Sequence, residues 1–223
     1  PQADICAEKI ECIEGRAWFT VMRQEKELGR ISIAPPGRHN VYNALAAVCV
    51  GLELEIPFAD IAEALQSYQG VQRRMQLKGT VAGITVVDDY GHHPTEILAT
   101  LEAIKDAWPE RRLVVVFQPH RYSRTAALYD DFKTCFHRAD YLVMTDIYAA
   151  SEMPMEGVAA QKLLEDLRRH GQRHTLYIHN VEEVSEGLGE ILEDGDLVLT
   201  LGAGNIVEAG EELLAQLQKR LLA

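Results

Sequence analysis

Five nearly unbroken apolar runs, at 80–87, 113–117, 141–145, 175–178 and 197–201, each give way to a segment of helical periodicity, at 94–108, 126–138, 157–170, 181–192 and 205–222. No other feature of the chain narrows its fold so far. Strands that are apolar on both faces must be covered on both faces, which parallel strands achieve when connecting helices pack above and below the sheet. The reading for 80–223 is therefore α/β, a doubly wound, Rossmann-like, mostly parallel sheet. Before Gly79 the texture differs. Short β-type runs at 9–13, 17–22 and 30–33, with turn signals at Glu14-Gly15 and Leu28-Gly29, predict a small antiparallel meander ended by Pro35-Pro36-Gly37. An Ala-rich helix over 40–52 and a second over 58–68 complete a small α+β region. The expected domains are 1–79 and 80–223, with a short hinge near Lys78-Gly79.

Charge and cysteine usage exclude several classes of partner. The formal charge of −12 is unevenly placed: residues 1–79 hold 9 basic and 10 acidic side chains, residues 80–223 hold 13 and 24. Such a surface repels nucleic acid and anionic membranes, so any phosphate recognition must be local and geometric. No apolar stretch approaches membrane-spanning length, and no basic segment followed by an apolar one opens the chain. Cys6, Cys12, Cys49 and Cys135 form no C-x-x-C pair, which argues against a zinc site and suits a reducing, cytoplasmic compartment. At 223 residues the chain is large enough for one substantial core and suited to two domains. It begins at a Pro, and the expectation is of a piece of a longer protein.

The apolar run at 84–87 gives way at 88–96 to Asp-Asp-Tyr-Gly-His-His-Pro-Thr-Glu. Ligands of open α/β sheets sit beyond the carboxyl ends of the strands, and a helix amino terminus offers unpaired N–H groups to anions. Ordinary punctuation accounts for part of the segment, with His93 as cap, Pro94 at the first helical position and Glu96 complementing the dipole. Asp88, Asp89 and His92 are left without a role, so a ligand-binding corner is expected.

Two further segments suit a nucleotide. Gly37-Arg38-His39-Asn40-Val41-Tyr42-Asn43 opens a helix, and Gln72-Arg73-Arg74-Met75 follows the next one. Side-chain amides both donate and accept, so two Asn one turn apart can read an adenine edge, while Arg offers forked donors to phosphate. Taken singly, Asn40 is also a good helix cap, Asn43 can satisfy local backbone, and Arg73 with Arg74 suits a solvated turn.

Beyond the run at 113–117 lies Gln118-Pro119-His120-Arg121-Tyr122-Ser123-Arg124-Thr125. Arg121 and Arg124 can clamp one carboxylate or phosphate if the segment turns helically, at roughly 1.5–3 kcal/mol per charge-assisted contact. As surface ion pairs they would be worth only about 0–1 kcal/mol each, and their place at a strand end favours the ligand. Asp146-Ile147-Tyr148-Ala149-Ala150-Ser151-Glu152 follows the next strand and Gly202-Ala203-Gly204-Asn205 the last; both are read as supports of the crevice floor. The dinucleotide pattern G-x-G-x-x-G fails because residue 207 is Val. His137, His170, His174 and His179 show no ligand spacing and are read as surface residues.

In this order, H-N-x-x-N-A-L-A-A, R-R-M, D-D-Y-G-H-H-P-T-E and H-R-Y-S-R-T resemble the carboxyl-terminal half of a Mur ligase, over essentially the whole chain. Mur ligases are the ATP-dependent amide-forming family of peptidoglycan precursor synthesis. The last motif points to the branch that joins L-alanine to UDP-N-acetylmuramate, and away from the branch that recycles murein tripeptide. The resemblance implies that ATP phosphorylates the muramate carboxylate and that the alanine amine attacks the mixed anhydride. Residues 1–79 would be the last part of a central ATPase domain, and 80–223 an amino-acid-binding domain that moves as a lid. Asn43 would meet adenine, with Asn40 and His39 shaping that helix start. Arg74 would face the ATP phosphates, Asp89 the ribose, and Tyr90 and His92 the base. Arg121 and Arg124 would hold the amino-acid carboxylate, with His120 alongside. The chain has no G-x-x-x-x-G-K-[ST] loop, so it is expected to be inactive alone, its missing amino-terminal and central domains supplying that loop and most ligands of Mg²⁺. The alternatives are a stand-alone module that binds a nucleotide or an amino acid without catalysis, and the related ligase that recycles murein tripeptide.

Overall fold

The structure, a computed structural model, describes residues 3–13, 15–34 and 36–222; Glu14 of the first expected turn and Pro35 of the Pro-Pro-Gly stop lie outside them. The backbone divides into two compact units, residues 1–72 with 102–109, and residues 73–101 with 110–223.

The first unit holds the meander. Strands β1 (Ile5–Ile13), β2 (Arg16–Arg23) and β3 (Lys26–Ile33) pair antiparallel in the order β1-β2-β3. Alternation sends Ala17, Phe19 and Val21 of β2 to one face, where they pack with Ile31 and Ile33. That face is closed by α1 (Arg38–Glu53), whose buried Val41, Ala44, Val48 and Gly51 recur at helical spacing, and by α2 (Phe58–Ser67) through Ile61. Gly51 is small because a Cβ there would stand 2.6 Å from the Ile61 side chain. The expected turn at Leu28-Gly29 is instead inside β3. The hairpin closes earlier, with Arg23 opposite Lys26, and Gly29 lies where the register of β2 and β3 shifts at a bulge, beneath the Phe58 ring.

The second unit carries the α/β sheet that the apolar runs require. Its six strands are β4 (Gln76–Val81), β5 (Ile84–Asp89), β6 (Leu113–Phe117), β7 (Tyr141–Met144), β8 (Thr175–Tyr177) and β9 (Leu197–Leu201), in the order β4-β5-β9-β6-β7-β8. All neighbours are parallel except β4, an antiparallel edge strand. The helices are α3 (Pro94–Ala107), α4 (Tyr122–Ala127), α5 (Tyr129–Phe132), α6 (Ala160–Arg169), α7 (Val184–Leu188) and α8 (Val207–Leu222). Every residue of β5, β6 and β9 is buried, and Val86, Val114, Val116, Val143 and Val198 meet Val184, Leu188 and Leu213 in one core.

Two sequence expectations change here. The single strand at 80–87 is a hairpin, β4 turning into β5 through Ala82-Gly83, both at positive φ (51° and 78°), the signature of a tight type I′ connection. Ala82 hid that turn because Ala is a poor marker of positive φ. The helix at 126–138 begins earlier and is broken: α4 starts at Tyr122, Leu128 leaves helical geometry at φ −110°, and α5 ends at Phe132.

Candidate functional site

Strand order and register bring four strand ends together. Asp89 of β5 and Phe117 of β6 both stand opposite Leu201 of β9, and Phe117 stands opposite Met144 of β7. The segments that follow therefore open on the same edge: 90–93, 118–121, 145–152 and 202–206. β9, last in the chain, is inserted between β5 and β6, which makes this edge the point where the winding of the sheet reverses and where such sheets take ligands.

The corner is built around two buried carboxylates. Asp88, fully buried, accepts from the Arg73 Nε (3.1 Å) and from the Thr200 hydroxyl (2.7 Å). The same guanidinium donates to the Gly204 and Gly202 carbonyls at 3.0 and 2.6 Å, so Arg73 ties β5 to the turn after β9. Arg73 holds a left-handed φ of 58°, and its carbonyl accepts the Tyr90 N–H. Asp89 accepts the Gly91 N–H (2.7 Å) and the Met75 N–H (2.9 Å). Burial pushes its carboxyl above the usual range, and those two N–H groups pull the other way. Tyr90, half-exposed, lies under the Arg73 and Arg74 guanidinium groups at 5.0 and 5.7 Å. The remaining sequence-derived nucleotide residues, Asn40 and Asn43, belong to the first unit. There the Asn40 side chain donates to the Pro36 carbonyl and the Asn43 amide to Asn40 Oδ1 at 3.5 Å.

Glu96 caps the corner. Its Oε2 accepts the His92 and His93 N–H groups at 3.0 and 3.2 Å, closing the first turn of α3. Burial raises its carboxyl, but these hydrogen bonds and the charges of His92 and Arg74 outweigh it and hold the group below its ordinary 4.5. A carboxyl lowered by folding stabilises the fold fully above its ordinary pKa and loses that contribution as pH falls through the lowered value. Protection of the His92 and His93 amides is therefore expected to be full at about pH 5 and to be lost selectively only as pH falls below the ordinary 4.5 of the carboxyl, and this acid-dependent loss is expected to be absent in Glu96→Gln.

The loops after β6 and β7 are cross-tied. His120 and Tyr148 form an isolated parallel bridge, the Arg121 N–H reaches the Tyr148 carbonyl at 2.8 Å, and the two rings stack at 5.6 Å. Glu152 accepts the Ser123 N–H (2.9 Å) and hydroxyl (2.6 Å), bracing the first turn of α4. Arg121 takes a left-handed φ of 70° just before α4, and Arg124 lies within it. Arg124 donates to His120 Nδ1 at 2.9 Å. His120 is lowered by burial first and then by the charges of Arg124, His92 and Arg121, so it is a neutral acceptor with Nε2 left to donate. The Arg121 guanidinium is exposed and makes no hydrogen bond among the described residues. The His92 ring lies 5.6 Å from that of His120, joining the corner at 88–96 to the arginine pair.

Gln118 joins the turn after β9. Its amide donates to Asn205 Oδ1 at 3.0 Å, while Oε1, buried, has no partner among the described residues. Gly204 is required here, since a Cβ would stand 2.2 Å from Gln118 Oε1 and 2.7 Å from the Tyr148 ring.

The structure thus gathers Arg74, Asp89, Tyr90, His92, His120, Arg121 and Arg124 around one sheet edge. Sequence reasoning read the segment of Tyr148 and Glu152 only in general terms, as a support of the crevice floor, and gave Arg73 no bracing role; Arg73 precedes β4 and no local signal marks it. No group of three or more His, Cys, Asp or Glu able to hold a metal ion occurs among the described residues.

Comparison with known proteins identifies the family and the fold. The family described as Mur ligase, glutamate ligase domain, matches residues 73–204. A UDP-N-acetylmuramate–L-alanine ligase of Desulfotalea psychrophila is 61% identical over 213 residues, 96% of this chain and 46% of that protein. The enzyme of the same name from Geobacter sulfurreducens is 54% identical over 98% of this chain and 47% of its own length. The chain thus spans about half the length of the curated relatives it matches. Among solved structures, a UDP-N-acetylmuramate-alanine ligase from Thermotoga maritima superposes with a TM-score of 0.83 at 25% identity, over 98% of this chain and 47% of that one.

Proposed function

The chain belongs to the Mur ligase family, and on that premise we propose that it is the amino-acid-binding part of an ATP-dependent ligase that joins L-alanine to UDP-N-acetylmuramate in peptidoglycan precursor synthesis. The observation that carries this reading is the braced pair Arg121 and Arg124 beside a neutral His120, at the strand edge where α/β sheets take ligands.

The proposed chemistry of these side chains follows from their charge. Two guanidinium groups hold the carboxylate of the amino acid, Arg124 in a fixed orientation and Arg121 free to close on it. Cations beside a bound ammonium disfavour its charged form, so the same pair eases loss of the proton that an attacking amine must shed. Neutral His120 adds an Nε2 donor without adding a competing carboxylate partner.

ATP supplies the phosphoryl group that activates the muramate carboxyl. Asn40, Asn43, Arg74, Asp89, Tyr90 and His92 are the residues proposed to serve it, Arg74 toward phosphate, Tyr90 and His92 toward the base. The corner offers cationic and aromatic groups of the kind a nucleotide needs; Asp88 is committed to Arg73 and Thr200, while each oxygen of Asp89 accepts one backbone N–H and has a further lone pair to offer the ribose. Ligands for Mg²⁺ are accordingly proposed to lie mostly outside this chain.

On this reading residues 1–79 are the end of a central ATP-binding domain and 80–223 the carboxyl-terminal domain, in a cytoplasmic enzyme whose partners are ATP, L-alanine, UDP-N-acetylmuramate and the rest of the same protein. Among the described residues no helix is long and apolar enough to cross a membrane. Calorimetry separates this from a free-standing binding module. ATP is expected to give no saturable heat with the 223-residue chain at concentrations that saturate the chain completed with the amino-terminal half of a relative. Equal affinity in both would contradict the proposal.

A further inference from the structure

The opposite edge of the same sheet carries a second feature that the ligase chemistry does not use. A cleft of about 500 Å³ lies among the residues that precede β7 and β8, within the range of about 300–1,000 Å³ for small-molecule pockets. Lys133 and His137 come from the segment that leaves α5, and His170, Arg173 and His174 from the end of α6. Gln172 ties the two walls by donating to the Ala139 carbonyl at 3.0 Å.

The lining is opposite in character to its surroundings. Residues 80–223 hold 24 acidic and 13 basic side chains, yet Asp140 is the one carboxylate among the lining residues, and its Oδ2 accepts the Leu113 N–H at 2.7 Å. Arg173 makes no hydrogen bond or ion pair among the described residues. Lys133 reaches the exposed Asp130 at 2.5 Å, a surface pair of the kind an incoming anion readily displaces. The imidazoles are oriented as well. His137 Nδ1 faces the Thr134 carbonyl at 3.1 Å and His170 Nδ1 the Asp166 carbonyl at 2.8 Å, so Nδ1 carries the proton that each carbonyl accepts and the donors left for an anion are Lys133 and Arg173. His174 is held by its stack on Tyr141 at 6.2 Å. The described residues offer no cluster that could hold a metal ion. Lysine and arginine donors suit an oxyanion where the lining carboxylate, Asp140, is turned to the Leu113 N–H and the other, Asp130, is an exposed surface partner.

We propose that this cleft binds a small phosphate-bearing anion, held chiefly by Lys133 and Arg173, at a site on the far edge of the sheet from the Arg121 and Arg124 pair. Its occupancy is independent of the ligase reading.

The probe is inorganic pyrophosphate, titrated into the 223-residue chain and followed by amide ¹H–¹⁵N spectra. Saturable shifts are expected at Lys133, Thr134, His137, Gly171, Arg173 and His174. Lys133→Ala with Arg173→Ala, both with cationic ends at the surface, is expected to keep the amide spectrum of the fold and to weaken binding by about 100-fold, about ten-fold for each lost charge-assisted contact. Lys219→Ala, on α8 and outside the lining, is expected to bind as the parent chain does. Shifts that fail to saturate, shifts centred on Arg121 and Arg124, or a double variant with unchanged affinity would each overturn the proposal.

Discussion

Replacing Arg73 by Met is expected to destabilise the second unit by about 3–5 kcal/mol, the cost of stranding a buried charge by removing its partner. Asp88 is fully buried and relies on Arg73 Nε and the Thr200 hydroxyl. The same substitution orphans the Gly202 and Gly204 carbonyls that the guanidinium now satisfies. Urea denaturation of the two proteins measures the difference, with unchanged slope if unfolding remains two-state. Asp88→Asn in the Arg73→Met background is expected to recover part of the loss, because a neutral amide in that position no longer requires a cation. If Arg73→Met costs less than about 1 kcal/mol, the typical worth of an exposed pair, the knot at the corner is not what holds the turn after β9.

A second large effect is expected at Arg121 and Arg124, the proposed amino-acid clamp. In a chain completed with the amino-terminal half of a relative, Arg124→Ala and Arg121→Ala should each raise KM for L-alanine by about 10–100-fold, the equivalent of one charge-assisted contact. The turnover number should fall less, because the alanine carboxylate does not itself react and is held much alike in ground and transition states. Arg124→Ala should have the larger effect of the two, since Arg124 also fixes His120 through Nδ1. Steady-state kinetics over varied L-alanine, with ATP and UDP-N-acetylmuramate saturating, provide the measurement. A fall in turnover with KM unchanged would remove the arginines from amino-acid binding.

The parts of this molecule that sequence shows are those whose physics is periodic or strictly positional. Runs such as 113–117 and 197–201 are apolar at every residue because both faces are covered, and they emerge as β6 and β9 with bounds intact. The corner at 88–96 was visible because a strand end, two carboxylates and a helix start coincide there, and its residues do converge with His120, Arg121 and Arg124.

What stayed hidden depends on backbone conformation that composition does not mark. Ala82, Arg73 and Arg121 all take positive φ, a region that Gly and Asn usually advertise. The β4–β5 hairpin, the reach of Arg73 to Gly202 and Gly204, and the position of Arg121 ahead of α4 all follow from those three residues. Long-range hydrogen bonds were equally silent. Glu152 and Ser123 are 29 residues apart, and nothing local in either segment announces that the carboxylate braces the arginine helix. The bulge at Gly29 misled for the opposite reason, since Gly is the ordinary mark of a turn and here makes room for the Phe58 ring.

The central claim is that this chain is one part of an alanine-adding ligase and cannot complete the reaction without the part that carries a phosphate-binding loop. Formation of the L-alanine amide of UDP-N-acetylmuramate, measured with radiolabelled alanine in the presence of ATP, tests it directly. The account predicts no product from the 223-residue chain and ATP-dependent product once that chain is joined to the amino-terminal half of a relative. Product from the 223-residue chain alone, or none from a folded joined protein, would contradict it.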